Sequence, residues 1–341
     1  MKKSAIHIAI LASAVLVCGC AKSASTGPND ASIRYFNAWK AVNYPEAESS
    51  DLGSVIIEKT DGNGKEVEAE GYAITEYVIS DLEGNISSYT DEQTARKLGT
   101  YSETTYYGPQ VMSTGAGYIY SGLAEAIVGM KTGGHIKTAI PSWLMTYSSY
   151  ETRAEYEKNA TEASDCIYDI KIVDFTDDII QWQKDSIGRY FASHPEIFEG
   201  MTAADTLEGY SGIYYKQLKE AVDTTSFPTD TTIYINYTGR LLNGMVFDTT
   251  IERVAKDNGL YSATKSYSPV SVSWSESPSG ITLSSSSVIT GFAATLWQMR
   301  SMEKGIGVFT SNYGYNASGS GSSIPGYSPL IFEIELVEKP E

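Results

Sequence analysis

The side chains that most often carry out catalysis are sparse and scattered in this sequence. Beyond the first twenty residues it contains two histidines, His135 and His194, and one cysteine, Cys166. The histidines are far apart and have no cysteine neighbours, so zinc-type spacing is missing and a histidine-dependent triad has little support. Neither a G-x-S-x-G motif nor a complete phosphate-binding glycine loop is present. The sequence therefore favours a binding module or an enzyme that needs no metal and no cofactor.

A different pattern occupies the second half, where aromatic residues recur at fixed distances. The run from Tyr237 to Asp248 reads Y-T-G-R-L-L-N-G-M-V-F-D. It is followed by Val288-Ile289-x-Gly291-Phe292, Met299, Tyr315, Ile324-Pro325 and Leu330-x-Phe332. These motifs resemble, with ungapped spacing from Gly291 to Phe332, the signature of FKBP-type peptidyl-prolyl isomerases. The resemblance covers about Gly212 to Lys339.

This resemblance implies an α+β fold and an activity that needs no nucleophile. Each domain of the family is an antiparallel half-barrel sheet wrapped on one short helix, with an apolar pocket between them. Rotation about an X-Pro bond faces a barrier of roughly 18–20 kcal/mol, because the amide is a partial double bond. A dry aromatic pocket favours the less polar twisted amide.

Site residues follow from the matched positions. By the resemblance, the catalytic residues are Asp248, Tyr315 and Phe247, with the Tyr315 hydroxyl bonding a substrate carbonyl. The substrate-binding residues are Tyr237, Val288, Ile289, Phe292, Ile324 and Phe332. Singly, such aromatics are more often core residues than site residues, and Tyr237 and Phe332 are expected to be partly structural.

Three departures from the family pattern bear on the pocket. Phe292 replaces a tryptophan, which gives a smaller floor, while Asn316 and Met302 stand where glycines are expected. Asn is the residue other than glycine that best tolerates positive φ. The stretch 251–280 is interpreted as an insertion near the pocket mouth, either gating substrate or decorating the surface. The serine-rich stretch 266–287 and the stretch 316–323 are predicted to be mobile surface loops.

The first half is a weaker copy of the same pattern. Tyr77 aligns with Tyr237 and Gly84 with Gly244, but other positions differ. Ser87 and Ser88 stand at the positions of Phe247 and Asp248, Leu123 at the tryptophan position, and Thr146 at that of Tyr315. This half is predicted to be catalytically silent and to serve in peptide binding, dimerisation or spacing.

Hydrophobic periodicity places the remaining elements. Asp61-Gly62-Asn63-Gly64 predicts a hairpin turn between a strand at 55–57 and one at 72–80. An amphipathic helix is predicted at 178–194, joining the two halves. The predicted domains are a signal peptide at 1–19, a tether with a short helix at 20–50, a degenerate FKBP-like domain at 51–176, a linker helix at 177–205, and a prolyl-isomerase domain at 206–341 with the insertion 251–280.

The N-terminus predicts export. Lys2 and Lys3 precede a short apolar stretch that ends at Gly19-Cys20, which is typical of a lipoprotein signal with Cys20 as the lipidated residue. An ordinary secretory signal is the alternative. We expect a protein anchored by lipid in the cell envelope, at the outer membrane, on its periplasmic or surface face. The formal net charge of −17 makes nucleic acid an unsuitable partner.

Two functions from different classes compete. The first is a cell-envelope prolyl isomerase with chaperone character, which acts on proline-containing polypeptides and for which the resemblance implies macrolide inhibitors as ligands. Phe247, Asp248, Tyr315 and Ile324 favour it. The second is a non-catalytic peptide-binding or assembly scaffold with the same fold, favoured by Phe292 and the long insertion. A glycan- or nutrient-binding lipoprotein has only the tether and the tyrosine-rich composition in its favour.

Overall fold

The computed structural model describes residues 30–340, which form two antiparallel β-sheets with helices packed against them. The first unit has a six-stranded sheet in the order β1-β5-β6-β2-β3, with β4 pairing along β2. Its strands are β1 Val55–Thr60, β2 Tyr72–Ser80, β3 Ile86–Tyr89, β4 Gln110–Ser113, β5 His135–Ile140 and β6 Cys166–Thr176. Its helices are α1 Asp30–Asn43, α2 Glu92–Leu98, α3 Ser121–Ile127 and α4 Arg153–Asn159.

The second unit has an eight-stranded sheet in the order β12-β11-β10-β8-β14-β13-β7, with β9 pairing along β8. Two helices, α5 Ile179–Ser193 and α6 Pro195–Phe198, connect the units. The strands are β7 Ile213–Lys219, β8 Thr232–Leu241, β9 Val246–Thr249, β10 Val270–Ser273, β11 Thr282–Leu283, β12 Ser286–Ser287, β13 Lys304–Phe309 and β14 Leu330–Val337. The helices α7 Glu252–Asp257 and α8 Thr290–Gln298 complete it.

The two units share one topology. The order β1-β5-β6-β2 of the first sheet matches β7-β13-β14-β8 of the second. In each, a short helix, α3 or α8, buries apolar residues such as Leu123 and Phe292 in the core beneath the sheet. The predicted α+β class, two antiparallel half-barrel sheets each wrapped on a short helix and joined by an amphipathic helix, is confirmed.

The closing strand β14 shows why the sheet has one buried face. Phe332, Ile334 and Leu336 are buried, whereas Glu333 and Glu335 between them are partly exposed. This alternation follows from the two-residue period of a strand. At the chain's start, α1 is anchored to the first unit by Phe36, whose ring lies 5.4 Å from that of Trp143.

The connecting helix α5 packs tightly on the second unit. The side chain of Asp178 accepts hydrogen bonds from the N–H groups of Ile180 and Gln181 and so caps the helix start. Ile187 and Phe191 are buried in a cluster with residues of β7, β13 and β14. Gln183 is fully buried; its amide nitrogen donates to Ser311 Oγ, and its oxygen accepts from the Ser311 N–H.

The hairpin predicted at residues 61–64 is wrong. Strand β1 pairs with β5, with Val55 opposite Ala139, and not with β2. The N–H groups of Asn63 and Gly64 instead donate to the carbonyl oxygen of Thr132, so the turn packs on the loop before β5. The turn signal is local, but the partner of β1 is chosen by burial against a strand distant in sequence.

The stretch 251–280, interpreted as an insertion near the pocket mouth, contains regular secondary structure. The range contains helix α7 and strand β10, and β10 pairs with β8 as β4 pairs with β2. The first unit has the same elements at 92–113. In both, two tyrosines stack: Tyr101 on Tyr107 at 5.7 Å and Tyr261 on Tyr267 at 5.6 Å. The stretch therefore belongs to the duplicated unit.

The serine-rich segment 266–287 is also more ordered in structure than its composition suggests, because it contains β10, β11 and β12. Trp274 is buried; its ring stacks on Trp297 at 5.0 Å and lies edge-on to Phe227 at 5.0 Å. One large aromatic side chain thus anchors a segment in which small polar residues predominate.

Candidate active site

All nine residues predicted for the pocket of the second half line one cavity of about 430 Å³. The cavity lies between the sheet of the second unit and α8. Its lining includes Tyr237, Phe247, Asp248, Val288, Ile289, Phe292, Tyr315, Ile324 and Phe332. The structure therefore brings together residues that span almost one hundred positions of sequence.

Five parts of the second unit position these side chains. Tyr237 lies on β8, Phe247 and Asp248 on β9, and Phe332 on β14. Phe292 is in the first turn of α8, directly after Val288 and Ile289. Tyr315 and Ile324 come from the long connection between β13 and β14.

The glycine of the Tyr237 motif makes room for the phenylalanine wall. Gly239 pairs with Asp248 across β8 and β9 and with Phe332 across β8 and β14. A Cβ atom at Gly239 would lie 2.4 Å from the Phe247 ring and 3.0 Å from that of Phe332. The first contact is shorter than Cβ atoms make in proteins, and the second would require the Phe332 ring to shift slightly, so this position favours a residue without a side chain.

The floor of the cavity is a cluster of edge-to-face rings. Phe292 lies 5.1 Å from Phe332 with an interplanar angle of 86°, and 5.6 Å from Tyr237 at 81°. Phe247 meets Phe332 at 5.5 Å and 74°. This is the preferred geometry for aromatic pairs, and it gives an apolar surface of fixed shape.

Asp248 is the one carboxylate in the lining, and it is firmly held. Its Oδ2 accepts a hydrogen bond from the Tyr237 hydroxyl at 2.5 Å. Its Oδ1 accepts from Lys265 Nζ at 2.6 Å and from the Thr249 N–H at 2.9 Å. The carboxylate thus fixes the orientation of Tyr237 while remaining partly open to solvent.

Both tyrosines of the cavity are held as neutral hydroxyls. Burial raises the pKa of Tyr237, and its hydrogen bond to Asp248 raises it further. Burial also raises the pKa of Tyr315, with a smaller contribution from the charge of Asp248. Each phenol therefore keeps its proton well above neutral pH and remains able to donate a hydrogen bond.

Comparison with known proteins addresses the family. A family model described as FKBP-type peptidyl-prolyl cis-trans isomerase matches residues 224–337. FK506-binding protein 1A of Aspergillus fumigatus is 32% identical over 123 residues, which are 36% of this chain and 90% of that protein. The FK506-binding protein of Neisseria meningitidis is 30% identical over 41% of this chain and 95% of its own length. This chain belongs to the FKBP-type peptidyl-prolyl isomerase family.

A longer relative matches over a similar stretch. A probable FKBP-type peptidyl-prolyl cis-trans isomerase of Haemophilus influenzae is 30% identical over 128 residues, which are 38% of this chain and 43% of that protein. The match spans less than half of that relative, so it bears on the FKBP domain and not on the whole protein.

The first unit has the FKBP topology without the FKBP lining. Ser88 pairs with Ile79 across β2 and β3, as Asp248 pairs with Gly239 in the second unit. Ser87 and Ser88 therefore stand at the positions of Phe247 and Asp248, as the alignment predicted. The Tyr77 hydroxyl donates to the neutral Gln110 Oε1 at 3.2 Å, where Tyr237 donates to a carboxylate.

Sequence comparison missed several residues at the FKBP cavity. Leu283, Ser287, Ser320 and Ser323 also line it, and Lys265 binds Asp248. Leu283 and Ser287 belong to β11 and β12, in the segment expected to be loop. A buried tryptophan, Trp274, in the preceding residues was the available signal that this segment is folded.

Two residues that stand where the family has glycine adopt a backbone conformation typical of glycine. Asn316 has φ 52° and Met302 has φ 61°, so both adopt the left-handed conformation in which a glycine is expected. Asn316 tolerates this conformation well. Met302 carries a larger side chain at the start of the turn before β13 and is the more strained of the two.

Proposed function

We propose that this chain is a prolyl isomerase of the bacterial cell envelope whose catalysis takes place in the cavity of the second unit. The observation that supports this is the convergence of nine pocket residues around one cavity of about 430 Å³. A space of this size accommodates a proline ring and its neighbouring peptide groups within aromatic walls.

The geometry supports catalysis through the environment of the amide. Phe292, Phe332 and Phe247 hold the proline ring and exclude water from the X-Pro bond. The planar amide is more polar than the twisted amide, because only the planar form keeps its conjugation. An apolar cavity therefore stabilises the twisted state relative to the planar one.

Donors at the rim fix the substrate backbone. Tyr315, held as a neutral phenol, donates a hydrogen bond from its hydroxyl to a substrate carbonyl oxygen. Ile289 is the N-cap residue of α8, and its N–H lies outside the hydrogen bonds of that helix. Two fixed donors orient the peptide while the prolyl bond rotates.

Asp248 serves in this scheme as an orienting group. It receives the Tyr237 hydroxyl and the Lys265 ammonium group and so stabilises one wall of the cavity. No proton transfer is needed for rotation about the amide. The first unit, with Ser87 and Ser88 at the corresponding positions, is proposed to be catalytically silent and to hold peptide.

Substrates and location follow from the N-terminal sequence. Cys20, the proposed lipidation site, lies outside the described residues, as do the signal peptide and residues 20–29 of the tether. Among residues 30–340, none of the helices has the length and apolar character required to cross a bilayer. We propose a lipid anchor at the outer membrane and, as substrates, X-Pro bonds of exported proteins.

Since two relatives are named for binding FK506, a macrolide inhibitor is the proposed small ligand of the cavity.

The domain boundaries are part of the same proposal: a silent FKBP-like domain at 51–176, a linker at 177–205 and the active domain at 206–341. The decisive experiment measures isomerisation of a short X-Pro peptide by NMR exchange with the full chain. Tyr315→Phe and Phe247→Ala should lower the rate, whereas Ser87→Ala, at the position in the first unit that matches Phe247, should not.

The outcomes separate the two functions. A rate above background that falls in the second-unit variants and is unchanged in Ser87→Ala supports catalysis in this cavity. A background rate from a chain shown to be folded by circular dichroism would instead leave a peptide-binding scaffold. Tyr315→Phe removes a single oxygen atom, so its effect does not depend on whether Phe247→Ala folds.

A further inference from the structure

One wall of the cavity is made by a segment with little structure of its own. The flap segment, residues 316–326, supplies Ser320, Ser323 and Ile324 to the lining. It contains four serines and three glycines, and Gly319 and Gly321 adopt positive φ. Such a chain has many accessible conformations, so holding it in one of them has a large entropic cost.

Internal hydrogen bonds close the flap segment but leave its tip to other partners. Ser320 and Ile324 exchange two backbone hydrogen bonds, and the Tyr327 N–H donates to the Asn316 carbonyl at the base. Ser322, at the tip between Ser320 and Ile324, is exposed.

The first unit binds the flap segment at two points. The Tyr106 N–H donates to the Ser322 carbonyl oxygen at 2.8 Å, and the Thr105 hydroxyl donates to Ser322 Oγ at 3.3 Å. The Tyr106 side chain packs against the core of the second unit. Beyond the flap, the Tyr72 ring lies edge-on to Tyr327 at 5.3 Å.

The duplication shows that the shape of this loop does not depend on Tyr106, although the Tyr106 hydroxyl donates to the Pro109 carbonyl oxygen of the same loop at 3.1 Å. The loop before β4 and the loop before β10 share the stacked tyrosines and a hydrogen bond from the N–H of Ser102 or Ser262 to a tyrosine hydroxyl. The two loops differ at two positions whose residues contact parts of the protein outside the loop. Thr105 and Tyr106 in the first unit correspond to Lys265 and Ser266 in the second. Lys265 reaches Asp248 of the cavity, whereas the first-unit pair reaches the flap segment of that same cavity.

We infer that Tyr106 is a positioning residue for the cavity of the second unit: the silent first unit holds the flap segment in the conformation that completes the prolyl site. The kinetic consequence of this inference rests on the proposed function, whereas the contact between the first unit and the flap segment does not. When the flap segment is already ordered before the substrate arrives, substrate binding does not bear the entropic cost of ordering it. The first unit thus keeps a role in isomerisation although Ser87 and Ser88 stand where the cavity of the second unit has Phe247 and Asp248.

The test uses Tyr106→Ala in the full chain, with Tyr118→Ala as the control, since Tyr118 is 78% exposed. Hydrogen exchange of the amides in 316–326 should accelerate about tenfold or more in Tyr106→Ala and stay unchanged in the control. For isomerisation, KM should rise roughly threefold to tenfold with kcat within about twofold. Tyr106→Phe, which keeps the ring, should restore both values.

Unchanged exchange in 316–326 for Tyr106→Ala would overturn the inference. A second combination of results would also overturn it. In that combination, Tyr106→Ala exchanges faster across the whole first unit, while Thr105→Val, which removes only one hydroxyl, leaves exchange in 316–326 unchanged. If the parent chain has no isomerase activity, the proposed function fails, yet the exchange measurement still decides whether the first unit holds the flap segment.

Discussion

The Tyr237 hydroxyl donates to a carboxylate of Asp248, whereas the equivalent hydroxyl of Tyr77 donates to the neutral amide of Gln110. The same tyrosine position thus has a charged partner in one unit and an uncharged partner in the other. Hydrogen bonds to charged groups are the stronger kind, so the duplication provides a matched pair of sites.

Tyr237→Phe should lower the free energy of unfolding by about 1 kcal/mol, which is less than the roughly 1.5–3 kcal/mol typical of a hydrogen bond to a charged group, because the Asp248 side chain is partly exposed. It should also slow isomerisation, since Asp248 and the ring lose their fixed orientation. Tyr77→Phe should lower the free energy of unfolding by a smaller amount and leave the isomerisation rate unchanged. Urea titration and NMR exchange measure the two effects. Equal costs in both units would contradict the difference in partner charge.

The pH dependence should be flat near neutrality. Because the pKa values of Tyr315 and Tyr237 are raised, both phenols stay protonated, and kcat/KM should be constant between about pH 6 and pH 9. A tyrosine of the unfolded chain ionises near pH 10. The stability that these groups contribute is therefore fully present below about pH 10 and is lost as pH rises toward the folded pKa. Chemical denaturation at a series of pH values checks the sign, and Tyr237→Phe should show the smaller alkaline loss.

Gly239→Ala should damage the cavity directly. Its Cβ would lie 2.4 Å from the Phe247 ring, so that ring must move and the wall opens. Overpacking of this kind costs about 1–3 kcal/mol of stability, and isomerase activity should fall further than stability explains. Gly115→Ala is the control, since its Cβ would meet only ordinary contacts at 3.6 Å. A fully active Gly239→Ala protein would show that the position of Phe247 is not critical.

Trp274→Ala should destabilise the second unit by about 3–5 kcal/mol, as expected when a large buried aromatic residue is removed. The stack on Trp297 and the contact with Phe227 would be lost, and β11, which brings Leu283 to the cavity, should become more open to hydrogen exchange. Trp274→Phe keeps a ring and should cost less. If Trp274→Ala unfolds at the same urea concentration as the parent, the segment does not depend on this anchor.

Sequence alone predicted the lining of the cavity better than it predicted the strands around it. Tyr237, Phe292 and Phe332 were assigned by spacing within a known pattern, and spacing carries over when a fold is kept. The pairing of β1 with β5 depends on burial between residues about eighty positions apart, which a local Asp-Gly turn signal cannot report. Composition misled in the same way at Trp274, where one buried ring outweighs many serines.

The role of the first unit was harder still to predict. Ser87, Ser88 and Thr146 indicate what is missing from its own pocket, but not what the unit contacts. The hydrogen bond from the Tyr106 N–H to the Ser322 carbonyl oxygen joins the two units through backbone atoms, and no pattern of side chains in the sequence predicts it.

The two-way hydrogen bond between Gln183 and Ser311 makes α5 part of the second unit's interior. A fragment that begins after α5 would leave the Ser311 N–H without this partner and would uncover Tyr214 and Ile306. We therefore expect that recombination or gene fusion can transfer the second unit intact only when the cut falls before Asp178. In evolutionary terms, we expect the connecting helix to be inherited with the unit that follows it.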